Sequence, residues 1–274
     1  MNYRHAFHAG NFADVVKHVA LTAVILHLRK KDTPFRVIDS HAGRGLYDLN
    51  GLDARRTAEA EQGIARLVGL DEPGLPASLA KYLDCVRQEG DGAYPGSARI
   101  AARLLRATDR LTAIEKHPDE AEGLRRALAP FAQAKAVEAD GYERLPALLP
   151  PSERRGVILV DPPYEASGEF ERVADLLALS FRRFVTGTYL VWFPIKSAAS
   201  ADAFCGEMMV KGVSGAIRVD VDVGGDRDRL VAAGLLVVNP PHGFADEMNA
   251  TAPVLASRLG RGGSLASITI RSLQ

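Results

Sequence analysis

Residues 155–164 read RGVILVDPPY. The run GVILV is apolar without interruption and rich in β-branched residues, which is the pattern of a strand buried on both faces. Pro162 and Pro163 end it, because each fixes φ and removes an N–H donor. Carbonyls at the strand's mouth are thereby left to accept hydrogen bonds, and Asp161 adds a carboxylate acceptor beside them. Tyr164 offers an aromatic face on which a flat base can stack, an interaction of about 1–3 kcal/mol per base. An exocyclic amine has two N–H donors and a lone pair delocalised into its ring, so it is a poor nucleophile. Two acceptors, Asp161 and a carbonyl near Pro162, would draw those hydrogens and favour a more nucleophilic nitrogen.

Around this stretch the chain alternates strand-like and helix-like runs. FRVIDS (35–40), LTAIEK (111–116), AVEAD (136–140), TYLVWFPI (188–195), AIRVDVDV (216–223), AGLLVVNPP (233–241) and SITIRS (267–272) read as further strands. Asn11 is placed to cap a first helix carrying Val15, Val19, Thr22 and Ile25 at helical spacing and ending near Lys31. Ser97 is placed to cap a second, through Leu105. PDEAEGLRRALAPF, YERLPALL, EFERVADLLALSFRRF, Ala201–Val210 and Phe244–Leu259 supply the others. Strands separated by helices imply an α/β fold whose sheet is mostly parallel, with helices on both faces. From about Leu49 to Gly92 the pattern changes to helix-rich sequence, ARRTAEAEQGIARLV and LPASLAKYLDCVRQ, broken at DEPGLP. This segment is read as a small helical insertion.

In such sheets ligands bind at the carboxyl ends of strands, near the point where strand order reverses. The first strand ends in Asp39-Ser40-His41-Ala42-Gly43-Arg44-Gly45, where Gly43 lets backbone approach a ligand closely. This turn is not the dinucleotide GxGxxG, since a third glycine is missing and His41 takes an early slot. The next strand ends in Glu115, an acceptor for ribose hydroxyls. It lies 70 residues beyond Gly45, against about 20 in the compact arrangement, and the insertion accounts for the difference. The third strand ends in Asp140-Gly141, where a carboxylate can accept from an adenine amino group. Asn239-Pro240-Pro241 resembles DPPY but lacks the aromatic residue, and is read as a structural turn.

Composition narrows the function classes. The 274 residues are 47% hydrophobic and 25% charged, as in ordinary globular proteins, and 34 basic residues balance 34 acidic ones. Any nucleic-acid surface is therefore a local patch. Two cysteines, Cys85 and Cys205, lie far apart, which argues against a cysteine zinc site and a secreted disulfide scaffold. No apolar run is long enough to span a bilayer and no signal peptide is recognised, so the expected location is cytoplasmic. Three histidines, His5, His8 and His18, fall within the first 18 residues. No nearby cysteine or carboxylate cluster completes a ligand set, so no metal is expected.

Glycine turn, acidic strand end, Asp-Gly strand end and DPPY together resemble the class I S-adenosylmethionine-dependent methyltransferases, and DPPY resembles their amino-methylating branch. YRHxFHAGNxADVxKH (3–18), xDxHAGxGxY (38–47), YPGSxxIAxxLL (94–105), ADG (139–141) and RRGxxLxDPPYE (154–165), in this order, narrow the resemblance. They are similar to the RlmJ family of 23S ribosomal RNA adenine-N6 methyltransferases, whose catalytic domain carries an inserted helical subdomain. The resemblance implies a Rossmann-like sheet of seven strands, with residues 1–48 and 93–274 as catalytic domain and 49–92 as insertion. It implies S-adenosyl-L-methionine as cofactor, held by His18, His41, Ser97, Glu115, Asp140, Gly141 and Asp161, with Gly43 in the turn beneath it. It implies Asp161 as catalytic residue, assisted by Pro162 and Tyr164, and Tyr3 as a contact to the RNA. Arg4 and His5 are read as reaching the RNA beside it, and His8 and Asn11 as fixing the loop and capping the helix. The expected partner is 23S ribosomal RNA, bound by a monomer. Phe12, where the family commonly has a polar residue, and a somewhat short insertion are the departures.

Several acceptors remain open on these residues. Guanine N2 in RNA and adenine in DNA are amines of the same kind. A protein glutamine amide is disfavoured because that branch typically shows NPPY, and DNA adenine enzymes usually carry a target-recognition domain for which only the insertion is a candidate. A non-catalytic nucleic-acid-binding protein involved in DNA uptake or use would have no need of Glu115, Asp140 and Asp161 at strand ends.

Overall fold

Strand β1 (Arg36–Asp39) is the centre of the molecule, with parallel neighbours on both sides. The computed structural model describes residues 7–51, 56–226 and 229–273. In chain order they form α1 (Phe12–Leu28), β1, β2 (Leu46–Asp48), α2 (Ala77–Arg87), β3 (Ala93–Pro95), α3 (Ser97–Leu104), β4 (Arg110–Glu115), α4 (Pro118–Leu128), β5 (Ala134–Glu138), α5 (Gly141–Ala147), β6 (Gly156–Val160), α6 (Glu169–Arg183), β7 (Thr188–Pro194), α7 (Ala198–Val210), β8 (Ala216–Asp222), β9 (Ala232–Val238), α8 (Phe244–Leu259) and β10 (Ser267–Leu273).

The main sheet has eight strands in the order β10-β8-β9-β7-β6-β1-β4-β5. From β7 to β5 the pairs are parallel, while β9 runs antiparallel to β7 and β8, and β10 antiparallel to β8. From β1 the chain builds outward through β4 and β5, then returns to the other side with β6. The strand order thus reverses at β1, and the crevice at its carboxyl end is where this architecture binds ligands.

The residues of β6 explain its place. Val157 and Leu159 enter one apolar cluster with α1, α3 and α8, while Ile158 and Val160 enter a second with α6 and α7. A strand buried on both faces must be apolar at every position, and the whole of β6 is. The eight strands correct the seven implied by the resemblance. The eighth is β10, the SITIRS run, whose polar, alternately exposed strand covers the edge of β8.

Three local expectations also change. Helix α1 stops at Leu28 rather than near Lys31, and Arg29 is already its C-cap. Ser97 is the first residue of α3, not its cap, because Gly96 holds the extended cap position and the Ser97 hydroxyl is used elsewhere. ARRTAEAEQGIARLV is not one helix over its later part. Ala60–Gln62 and Ile64–Arg66 are single 3₁₀ turns separated at Gly63, where a Cβ would stand 2.0 Å from the Gly10 carbonyl. The Ile64 N–H donates to that same carbonyl at 2.8 Å. Docking against the start of α1 overrides helix propensity there.

Residues 49–92 leave and rejoin the chain between β2 and β3, which pair antiparallel. Ile64, Leu67, Leu79, Tyr82 and Leu83 from this segment lie in the same apolar cluster as α1. The Asn239-Pro240-Pro241 turn lies away from the mouth. Because β9 is antiparallel to β7, its carboxyl end meets the amino end of β7, at Val238 opposite Tyr189. Asn239 is fixed there by amide donation to the carbonyls of Val185 and Gly187, at 2.6 and 2.9 Å.

Candidate active site

A cleft of about 410 Å³ opens at the carboxyl ends of β1, β4 and β6. Its size is that of a small-molecule or cofactor site. His18, His41, Gly43, Ser97, Glu115, Asp140, Gly141 and Asp161 all line it, so residues as far apart in sequence as His18 and Asp161 converge on one cavity. Pro163 lines it too, whereas the expected Pro162 and Tyr164, buried and half-buried, are not among its lining residues. Tyr3, Arg4 and His5 lie outside the described residues.

The floor is backbone, and two glycines make it possible. Gly43 has φ +59°, and a Cβ there would lie 2.2 Å from the Tyr47 hydroxyl. Its N–H donates to Glu115 at 2.9 Å, and the other Glu115 oxygen accepts from the His117 N–H at 2.7 Å. These bonds aim the carboxylate across the turn, while burial raises its pKa above the ordinary value. At Gly141 a Cβ would stand 2.0 Å from the Ser40 carbonyl, so the two loops touch through backbone alone.

Asp140 caps α5 by accepting from the Tyr142 N–H at 2.9 Å, and also accepts from Lys116 at 2.9 Å. Burial opposes its charge, yet these two bonds hold its carboxyl below the usual range. Tyr142 is packed between Arg172, 3.7 Å above its ring, and the edge of His41 at 5.0 Å. Ser40 donates its hydroxyl hydrogen to the Leu159 carbonyl at 2.9 Å and so accepts from His41 Nδ1–H at 2.8 Å. That leaves His41 Nε2 as an acceptor, buried and without a partner among the described residues. Burial pushes the His41 pKa down to about 4, so the ring is neutral.

This gives a pH signature. Between about pH 6.5 and 4 the unfolded chain protonates His41 and the folded protein does not, so stability falls as the medium is acidified through that window. Between pH 7 and 5 the wild type should lose about 1–2 kcal/mol more stability than His41→Gln, read by urea unfolding. Equal losses would contradict the assignment.

The reactive end of the cleft is Asp161. Its carboxylate is ion-paired to Lys17 Nζ, which also donates to Asp14 at 2.7 Å, and Asp14 in turn accepts from the Gly10 N–H at 2.9 Å. Lys17 and Asp14 are 4% and 2% exposed. Burial works against the Lys17 charge, but the two carboxylates outweigh it and raise its pKa. Beside it, Ser97 donates to Asp39 at 2.6 Å. Burial pushes the Asp39 carboxyl up to about 6 against that hydrogen bond.

Tyr164 sits at φ +54°, a left-handed conformation unusual for a tyrosine. Strain of this kind persists where surroundings over-determine it. Here the hydroxyl donates to the Trp192 carbonyl at 2.8 Å, and the ring packs against Phe170 and Trp192 with centroids 4.5 and 5.7 Å away. The ring is half-buried in this aromatic group rather than projecting freely.

A family model described as "Ribosomal RNA large subunit methyltransferase D, RlmJ" matches residues 32–269. The chain belongs to the RlmJ family of ribosomal RNA large-subunit methyltransferases. Two relatives carry the name "Ribosomal RNA large subunit methyltransferase J". The Escherichia coli protein is 38% identical over 96% of both chains, and the Haemophilus influenzae protein 33% identical over 94% of both. A solved Legionella pneumophila protein superposes with a TM-score of 0.88 at 32% identity, covering 97% of this chain and 98% of that one. A probable spermidine synthase from Corynebacterium glutamicum, with TM-score 0.50 and 14% identity, shares the fold alone.

This RlmJ-family enzyme therefore has a methyltransferase's cleft, and its chemistry fits a nucleoside-bearing cofactor. The wall holds a buried acceptor at His41 Nε2, carboxylates at Glu115 and Asp140, and glycine backbone that a Cβ would block. Sequence reasoning missed Lys17, Asp14 and Asp39. Asp14 and Lys17 stand three residues apart, a spacing that puts them on one helix face. That face is buried among apolar neighbours, and charged residues on a buried face were the available signal. The histidines of the opening segment part company here. Asn11 caps α1 through the Asp14 N–H at 3.0 Å and donates to Glu59 at 3.0 Å. His8 Nδ1 meets the same Glu59 at 3.1 Å, and both residues fix the loop, whereas His18 reaches the cleft. Among the described residues no group of three histidine, cysteine or carboxylate side chains is arranged to hold a metal, and no helix is long and apolar enough to cross a membrane.

Proposed function

We propose that the enzyme transfers a methyl group from S-adenosyl-L-methionine to the exocyclic N6 of one adenine in 23S ribosomal RNA. The observation that carries this reading is Asp161, held by the buried Lys17–Asp14 pair at the end of β6 and opening directly into the cleft. When bound, the cofactor supplies a methyl group on a sulfonium, already activated toward attack. Glu115 is suited to the ribose hydroxyls. His41 and Asp140 are suited to the adenine end, and His18 and Ser97 lie on the wall near Asp161. Asp161 accepts a hydrogen bond from one N6–H of the target, and a carbonyl of the Pro162 region accepts one from the other. As N6 takes the methyl group, S-adenosylhomocysteine leaves, and the surplus proton on nitrogen passes to Asp161 or to water. Lys17 fixes the carboxylate in place, so the acceptor is oriented before the base arrives, and positioning is the main source of rate. The target adenine is unstacked from the RNA to reach this depth, and the aromatic group around Tyr164 supplies the surface against which it rests.

Tyr3, Arg4 and His5 would meet the RNA at the rim. Residues 1–48 and 93–274 would form the catalytic domain and 49–92 an insertion that helps grip the substrate. The enzyme would work as a monomer in the cytoplasm, beside its ribosomal substrate. S-adenosylhomocysteine binding tests the cofactor half of the reading. Calorimetry should show Glu115→Ala binding at least about tenfold more weakly, the size expected when a carboxylate loses its hydroxyl partners. An unchanged affinity would remove Glu115 from the site.

A further inference from the structure

The inserted helix α2 reaches the cofactor cleft through a buried chain of hydroxyls. Tyr82, on α2, places its hydroxyl 3.0 Å from that of Tyr94, on β3. Tyr94 in turn lies 2.8 Å from His18 Nδ1. Tyr82 and Tyr94 are 0% exposed and His18 1%.

Counting protons fixes the direction of these bonds. Tyr82 forms one hydrogen bond among the described residues, to Tyr94. If Tyr94 donated to Tyr82, the Tyr82 O–H would be buried with no acceptor, at a cost of about 1–3 kcal/mol. Tyr82 therefore donates to Tyr94, and Tyr94 donates its only hydrogen to His18 Nδ1. A neutral imidazole that accepts at Nδ1 carries its hydrogen on Nε2. His18 lines the cleft, and with Nδ1 turned away to Tyr94 its cleft-facing nitrogen is Nε2.

We infer that Tyr82 and Tyr94 are positioning residues that hold His18 in the Nε2–H tautomer, so that it presents a hydrogen-bond donor to the cleft. The inference rests on the reading of that cleft as the S-adenosylmethionine site, where a donor at this wall suits a ligand oxygen such as the cofactor's carboxylate. It gives residues 49–92 a second task besides gripping RNA. Burial also raises the pKa of both phenols, so neither loses its hydrogen near neutral pH.

Long-range ¹H–¹⁵N spectra of the ligand-free protein, with His18 assigned by His18→Gln, report the tautomer directly. The expected wild-type result is Nε2–H. Tyr94→Phe should move His18 to a mixture of tautomers and weaken S-adenosylhomocysteine binding about five- to tenfold, with the KM for RNA changed less than the cofactor affinity. Because Tyr94→Phe also leaves the Tyr82 hydroxyl without an acceptor, the double variant Tyr82→Phe/Tyr94→Phe is the control for folding. It removes both hydroxyls, should melt within a few degrees of wild type, and should show the same release of His18. A wild-type Nδ1–H tautomer, or a double variant that keeps both the tautomer and the affinity, would overturn the inference. If wild-type protein fails to bind S-adenosylhomocysteine at all, the cofactor reading falls, and the donor loses the ligand assigned to it. The tautomer in ligand-free protein still tells that failure apart from a failure of the hydroxyl chain.

Discussion

Asp161→Ala should lower the rate of methyl transfer at saturating substrates by about 100- to 1,000-fold, the scale seen when one preorganised hydrogen-bonding group is removed from a reacting centre. The carboxylate opens into the cleft at the end of β6 and is the acceptor assigned to the target amine. S-adenosylhomocysteine affinity should change far less, because Glu115, Asp140 and the Gly43 turn stand on other strands and do not depend on Asp161. Single-turnover methylation and calorimetry on the same preparation separate the two effects. Near-normal methylation by Asp161→Ala with unchanged cofactor binding would mean that the amine is oriented by another group.

Lys17→Met should be the most damaging substitution for stability. The ammonium is buried between Asp14 and Asp161, and removing it takes the Lys17 cation from the buried Asp14 carboxylate and from Asp161 at the cleft. Breaking a buried pair from one side typically costs about 3–5 kcal/mol. In a domain of this size that lowers the melting temperature by about 6–20 °C. Activity should fall with it, since Asp161 loses the partner that fixes it. Lys17→Arg should not restore it, because a planar, forked guanidinium does not replace a compact ammonium between two acceptors. Adding Asp14→Asn to Lys17→Met removes one of the stranded charges, and should recover part of the stability without recovering methylation. A Lys17→Met protein that melts within about 2 °C of wild type would show that the pair is not the buried anchor described here.

The parts of this site that sequence made legible are those that strand ends announce. RGVILV could only be a strand buried on both faces, and the carboxylates at Glu115, Asp140 and Asp161 followed from where strands stop. The parts it hid depend on what folds against what. Lys17 and Asp14 sit within a helix whose charges look like surface decoration until β6 brings Asp161 beside them. Ser97 reads as a helix cap by its type and place, and only the return of β1 shows its hydroxyl committed to Asp39. The 3₁₀ turns after Thr57 replace a helix because the Gly10 carbonyl occupies the space a side chain would need. Tyr164 was legible as an aromatic at the mouth, but its packing against Phe170 and Trp192 depends on α6 and β7, far along the chain.

The central claim is the identity of the amine. Incubation with isotopically labelled S-adenosylmethionine and 23S ribosomal RNA lacking modification, followed by digestion to nucleosides and chromatography, tests it most directly. The account predicts label in N6-methyladenosine alone, appearing about 100- to 1,000-fold more slowly when Asp161→Ala replaces the wild type. Label in N2-methylguanosine, or transfer to DNA adenine in preference to the RNA, would contradict it.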